Sequence, residues 1–385
     1  MGCEDSTRIP ELDGMRGIAI GLILVYHYFL VPLSPHVGSA LWYVQACGRL
    51  AWTGVDLFFV LSGFLIGGIL LDARESANYF QVFYRRRFWR IVPLYSTCLF
   101  VFFVLTKSIV PLIIPKFHWP GLDRISWYCY ALFLQNFWMA KQDTLGAFGL
   151  VVTWSLAIEE QFYLTLPLVV RFLQKNGRML LISIGVILAP VLRIFLFHFW
   201  PTKQWATFVL MPCRADALLL GVLGATLLRS EKYKRWLEEN SRILKVALVS
   251  LLSGAALLSY FCVDIHSLLM ISVGYTWMAF LYLCAILYAV THRKSWLSNC
   301  LRWSWLGWLG TIAYGVYLFH SPFLGAFNLM FWSSPVATLD GLSHFSTTVS
   351  ALVATVIFCR LSWLYFEKPL IDLGHRTRYL YGSTQ

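Results

Sequence analysis

The residues with the most chemistry in them sit inside apolar runs. His27, Asp56, Glu159, Glu160, Arg193, Arg214, Asp216, His320 and Arg360 each interrupt a stretch that is otherwise hydrophobic. An ionisable side chain in lipid is costly unless it is paired or wet, so each is a functional candidate. Arg16 and His27 stand eleven residues apart. At about 100° per residue this ends roughly 20° beyond three turns, which puts both on one helix face about 16 Å apart along the axis. A molecule with phosphates at one end and a reactive group at the other fits such a face. A boundary arginine and a packed, hydrogen-bonded histidine would show the same spacing.

Three further groups could complete a site. Glu159 and Glu160 lie in TWSLAIEEQFYL. Neighbouring carboxylates on a helix point about 100° apart, so different partners are expected. One could orient and charge-stabilise an imidazole, and the other could pair with Arg214 or Arg193. Two glutamates that only neutralise those arginines are the competing reading. Arg74, Arg85, Arg86, Arg87 and Arg90 fall in the loop expected between the second and third spans. Arg87 and Arg90, at i and i+3, share a face, and guanidinium forks suit phosphate oxygens. A topology-setting basic loop is the alternative. Tyr314, Tyr317 and His320 recur at three-residue steps in LGTIAYGVYLFHSP, where Gly310 and Ala313 permit close helix approach. Asp56 and the Arg214/Asp216 pair read as structural. The nine cysteines form no CxxC or His-rich cluster, so no metal or redox site is expected and they count as small hydrophobes.

These groups need helices in lipid to position them. Of 385 residues, 58% are hydrophobic and 13% charged, with a net charge of +12. An ordinary globular chain is about 25% charged, so this one lacks the polar surface to dissolve in water. A secreted, disordered or nucleic-acid-binding protein is excluded. The sequence predicts an all-α polytopic membrane protein. Ten segments have the roughly 20 apolar residues a span requires: 17–36, 49–71, 91–113, 149–170, 179–200, 205–228, 244–263, 267–290, 305–331 and 344–366. An eleventh, 125–139, is short and is expected to be partial or re-entrant. With that assignment, basic residues at 74–90, 171–178, 229–245, 293–302 and 368–378 all fall on one side, and the positive-inside rule makes it, with both termini, cytoplasmic. No cleavable signal peptide is expected, and the myristoylation-like Met1-Gly2-Cys3 with Ser6 reads as chance.

Taken in order, the motifs resemble the integral-membrane acyltransferase 3 family. They are IPELDGMRGIAI with its Arg16-to-His27 spacing, GVDLFFVLSGFLIG, Arg87-x-x-Arg90-Ile-Val-Pro-Leu-Tyr, TWSLAIEEQFYL, CRADALLLGVL, LGTIAYGVYLFHSP and WLYFEKPL. The resemblance runs from Ile9 to Pro369, so residues 1–385 are read as one integral-membrane acyltransferase domain with its core at 9–369. It implies transfer of an acyl group, often acetyl, from cytoplasmic acyl-CoA to a hydroxyl of a carbohydrate. Acyl-CoA would be the donor substrate, with no cofactor held permanently. It implies His27 as the catalytic histidine and Arg16, Arg87 and Arg90 as functional. Arg86 is grouped with them as a donor contact. Glu159 or Glu160 would raise the basicity of His27, and Tyr317 or His320 would donate to the thioester oxygen. The expected location is the bacterial inner membrane, and the expected partners are lipid, acyl-CoA and a glycan, with no nucleic acid. Ala313 departs from the serine usual in the family at that place. An extra periplasmic hydrolase-like domain, which some members carry, is not expected within these residues. A transporter or flippase for a glycan or small anion is the competing class.

Overall fold

The computed structural model describes residues 9–114, 117–262 and 264–381. The Met1-Gly2-Cys3 pattern, Ser6 and Lys116 lie outside the described residues. Among those residues the regular elements are helices, with no strand. α1 (Pro10–Leu24) begins on a proline, whose fixed φ and missing N–H suit a first helical position, and runs into a π-helical turn, Val25–Leu30, that holds His27. Helix Ala40–Gly48 and a 3₁₀ turn lead into α2 (Gly54–Asp72). α3 (Tyr79–Val104) continues through a π turn to Ile113. Then come α4 (Thr153–Phe172), α5 (Lys175–Phe199), α6 (Met211–Leu228), α7 (Ser241–Phe261) and α8 (Tyr275–Thr291). Helix Ser304–Thr311 breaks at Ile312 before α9 (Ala313–Trp332), and α10 (Leu342–Ser362) passes through a π turn, Trp363–Glu367, into a last helix, Lys368–His375.

Burial separates the centre from the rim. The apolar window of the helix ending in α2 is 72% buried and that containing α6 is 67% buried, against 11% for α7 and 17% for the helix that includes α10. The outer helices therefore present their apolar sides outward, where only lipid would satisfy them; Val246, Val249, Leu252 and Leu257 of α7 are all exposed. At the centre α2 and α6 touch backbone to backbone. A Cβ on Gly221 would overlap the Val60 carbonyl oxygen, and one on Gly310 would overlap that of Asp13, so glycine permits both close approaches.

Side-chain and backbone contacts gather the connecting segments into two groups, one at each end of the helices. At one end Arg229 pairs with Asp72 at 2.5 Å, Arg171 reaches the Arg74 carbonyl, Asn78 donates to the Arg378 carbonyl, His292 meets the Glu238 carbonyl and Arg302 pairs with Glu11. At the other end Leu339 N–H donates to the Pro32 carbonyl, Arg49 to that of Ser259, and Asp143 accepts from Trp205 N–H. Arg171, Arg229 and Arg302, from three of the basic segments, are among the first group.

One expectation changes. The Arg85–Arg90 run lies in α3, not in a loop, because the helix starts at Tyr79 rather than near 91. Nothing between 79 and 92 breaks a helix, and arginine is a good helix former; an apolarity count is blind to charged turns. The 125–139 segment splits into helices Trp127–Ala131 and Gln135–Gln142. Neither can cross a hydrocarbon layer about 30 Å thick. Seven helices are long and apolar enough to do so by length and composition. α1, α4 and α9 are outside that set. They carry Arg16 and His27, Glu159 and Glu160, and Tyr317 and His320, and these polar residues are what lowers their apolarity.

Candidate active site

A cavity of about 280 Å³ lies among α1, α2, α3, α4, α9 and the C-terminal helix. Its α2 lining runs from Val55 to Ile69, about 21 Å of helix. The Ile69 end, with Ile371 and His375, is on the basic side of the bundle. Toward the other end the lining includes Val55, Phe58, Ser155 and Tyr317. Arg16, Arg87 and Arg90 line the cavity, so the shared face of the last two is the one turned inward. Arg16 Nη1 donates to Asp13 Oδ1 at 2.7 Å. The ion pairs among the described residues leave Arg87 and Arg90 out, and the Arg87 Nε is buried without a partner. Two guanidiniums facing a cavity without carboxylate partners suit an anionic ligand. Arg86 is turned elsewhere: it donates to the Thr377 carbonyl at 3.0 Å and covers the Tyr379 ring.

His27 and His320 lie just past the Tyr317 end of the lining. Their ring centroids are 5.0 Å apart, with His320 Nε2 3.3 Å from His27 Nδ1. The backbone settles which nitrogen holds which proton. His320 Nδ1 is 2.7 Å from the Tyr317 carbonyl and 3.2 Å from that of Val316. Carbonyl oxygens only accept, so Nδ1 of His320 carries the hydrogen and its Nε2 presents a lone pair. That lone pair and the Ile23 carbonyl, at 3.2 Å, both face His27 Nδ1, which is then the protonated nitrogen. Nε2 of His27 is left with a free lone pair on a half-buried ring. This is the tautomer a general base requires, fixed by what the other nitrogen donates to. An imidazolium at His27 would keep the same Nδ1–H contact to His320.

The carboxylates behave differently from expectation. Among the described residues neither Glu159 nor Glu160 bonds His27; His320 holds the position assigned to them. Glu159 lines the cavity and accepts from Tyr163 O–H at 3.1 Å, while Tyr163 also meets Ser62. Glu160 has one buried oxygen without a partner, with Arg87 near enough to act on it through its charge. The intramembrane arginines pair with aspartates instead. Arg214 meets Asp56 at 2.5 Å and Arg193 meets Asp216 at 3.0 Å. Those aspartates are closer in the fold than any glutamate, as both pairs lie on the α2–α6 side. Tyr314, Tyr317 and His320 do face the bundle; Tyr314 O–H donates to the Ile91 carbonyl at 2.9 Å.

Sequence reasoning left Ser155, Tyr163 and Glu367 without a role. Glu367 is buried, lines the cavity and accepts from Ser362. Its motif, WLYFEKPL, was visible, but ending the last span at 366 placed it outside the helix. Ser155 lies one turn before Glu159 and so on the same face, which was a usable signal.

A helical bundle with an arginine-lined cavity ending beside a tautomer-fixed histidine pair has the parts of a membrane-embedded transferase. Residues 9–364 match the family described as acyltransferase domain, and this chain belongs to that family. It is 30% identical over 401 residues to a putative peptidoglycan O-acetyltransferase, YrhL, of Bacillus subtilis, covering 96% of this chain and 56% of that protein. It is 27% identical over 388 residues to the peptidoglycan O-acetyltransferase OatA of Listeria monocytogenes, covering 95% and 56%. It is 24% identical over 386 residues to the O-acetyltransferase OatA of Staphylococcus aureus, covering 96% and 58%. The chain thus spans just over half the length of these relatives. No solved structure matches it.

Proposed function

We propose that this protein is an O-acyltransferase that moves an acetyl group from acyl-CoA, bound in the arginine cavity, to a hydroxyl of a glycan, with His27 as general base. The observation that carries this is the His320–His27 relay, which leaves Nε2 of His27 unprotonated just beyond a cavity with two unpaired guanidiniums. CoA is strongly anionic and long. Arg16, Arg87 and Arg90 would hold its phosphates, and about 21 Å of lined helix gives room for its pantetheine arm. His27 would take the proton from the acceptor hydroxyl while that oxygen bonds to the acyl carbon. The C–S bond then breaks, and the proton passes to the CoA thiolate. Glu159 would offset the charge of the arginines. The names of the relatives support acetyl as the group and a cell-wall glycan as the acceptor.

The membrane arrangement follows the two ends of the bundle. α1 to α10, with their continuations, each run between the ends, giving ten crossings, with 117–152 staying at the less basic end. Both described termini then lie on the basic, cytoplasmic side of a bacterial inner membrane, where acyl-CoA is found. The test is acetyl transfer from labelled acetyl-CoA to glycan fragments by purified protein in lipid nanodiscs. Transfer by the wild type and its loss in His27→Ala are expected. A wild type that neither binds acetyl-CoA nor releases CoA in the presence of acceptor would sink the reading.

A further inference from the structure

The cavity does not reach His27. Tyr317 lines it, and its ring has Phe58 at 6.0 Å and His320 at 5.8 Å between centroids. Tyr317 is tied down at its hydroxyl, 2.5 Å from Ser155 Oγ and 3.0 Å from the Val152 carbonyl, while Ser155 Oγ is 3.1 Å from the same carbonyl. These three contacts share two hydroxyl protons. One hydroxyl donates to Val152 and the other donates to its neighbour. In this position the Tyr317 hydroxyl is committed and cannot face a thioester oxygen. The ring thus borders both the space where a donor fits and the His320 member of the histidine pair.

We propose that Ser155 and Tyr317 form a removable partition between the arginine cavity and the His27–His320 pair, with Ser155 the positioning residue that holds it shut. The inference rests on the donor reading above. With the partition closed, a thioester in the cavity is screened from His27 and from water activated there. When Tyr317 leaves Val152, the passage opens, and its O–H is freed to donate to the thioester oxygen, the role its motif suggested. The partition therefore limits wasteful hydrolysis. In that side reaction a water oxygen bonds to the acyl carbon, the C–S bond breaks, and the proton taken by His27 ends on the CoA thiolate. Phe58 supports the ring by packing alone.

The readout is CoA release from acetyl-CoA without acceptor, measured by chromatography on protein in nanodiscs at saturating donor. Ser155→Ala removes one tie and should raise the release about tenfold, the change expected for one net hydrogen bond. Ser155→Thr keeps the hydroxyl and should return the release to the wild-type level. Phe58→Ala loosens the ring without touching a polar group and should also raise it. Adding His27→Ala to Ser155→Ala should abolish the rise, because the leak passes through that base. A gain of this kind is not produced by misfolding. Acetyl-CoA that binds all variants with unchanged release from Ser155→Ala and Phe58→Ala overturns the partition alone. A wild type that fails to bind acetyl-CoA by calorimetry overturns the donor reading and the partition with it.

Discussion

At the scale of single residues, the protonation of His27 is set by its neighbour. A lone histidine in a π turn would spread its proton over both nitrogens. His320, anchored by Nδ1 to two backbone carbonyls, removes that choice. His27→Ala should lower acetyl transfer by at least about 10²-fold, the usual range for a general base. His320→Ala should lower kcat by roughly tenfold or more, and the double variant should be no worse than His27→Ala, because the two act as a unit. Steady-state kinetics on the three proteins checks this, and additive losses would separate the pair. The arginines divide as sharply. Arg87→Ala should raise the KM for acetyl-CoA about tenfold, as for a charged hydrogen bond lost, whereas Arg86→Ala should leave it unchanged. The sequence puts Arg16 and His27 on one stripe from the α period alone, whereas Arg16 lines the cavity and His27 sits in a π-helical turn outside its lining. The His27 partner was not legible, as it lies 293 residues away and only the tertiary fold sets that meeting.

At the scale of elements, the site depends on α2 and α6 being held in register, and buried charges do this. Arg214 is fully buried, bonded to Asp56 and surrounded by five aromatic rings from 4.3 Å (Tyr275) to 5.9 Å (Trp52 and Trp154). Its Nε and Nη1 and the Asp56 Oδ2 have no hydrogen-bond partner, so ring faces supply part of the stabilisation. Arg193, Asp216 and Thr276 form a second knot linking α5, α6 and α8. Breaking one buried pair strands a charge at a cost of about 3–5 kcal/mol, while replacing both partners with apolar groups is often close to neutral. Asp56→Leu and Arg214→Met should therefore each lower the melting temperature more than the double variant does, by scanning fluorimetry in detergent. A double variant as unstable as the sum of the two would show that Asp56 and Arg214 act independently rather than as a pair. That these residues were structural was readable from the sequence. That aspartates rather than Glu159 or Glu160 pair with the arginines was not, since helix neighbours are chosen by packing.

At the scale of the molecule, the segments that the charge count sorts together include several that meet in space. The basic loops were sorted by parity along the chain; Arg229 with Asp72, Asn78 with Arg378 and Arg302 with Glu11 bring the same segments together in space. Apolarity alone falls short in two places: α1, α4 and α9 are interrupted by polar candidate residues, and α3 begins with charged turns. Orientation is open to a direct test, with Ile371 and His375 among the residues that line the cavity. If the basic end is cytoplasmic, a cysteine at Ser334, in the loop after α9, should react in intact cells with a maleimide that cannot cross membranes, and one at Ser230, after α6, should react only after permeabilisation. The variants Ser334→Cys and Ser230→Cys belong in a background lacking Cys3 and Cys47, since Cys47 is exposed. The reverse pattern would put the arginine cavity on the side without acyl-CoA, and equal labelling of both would place the two ends on one face of the membrane.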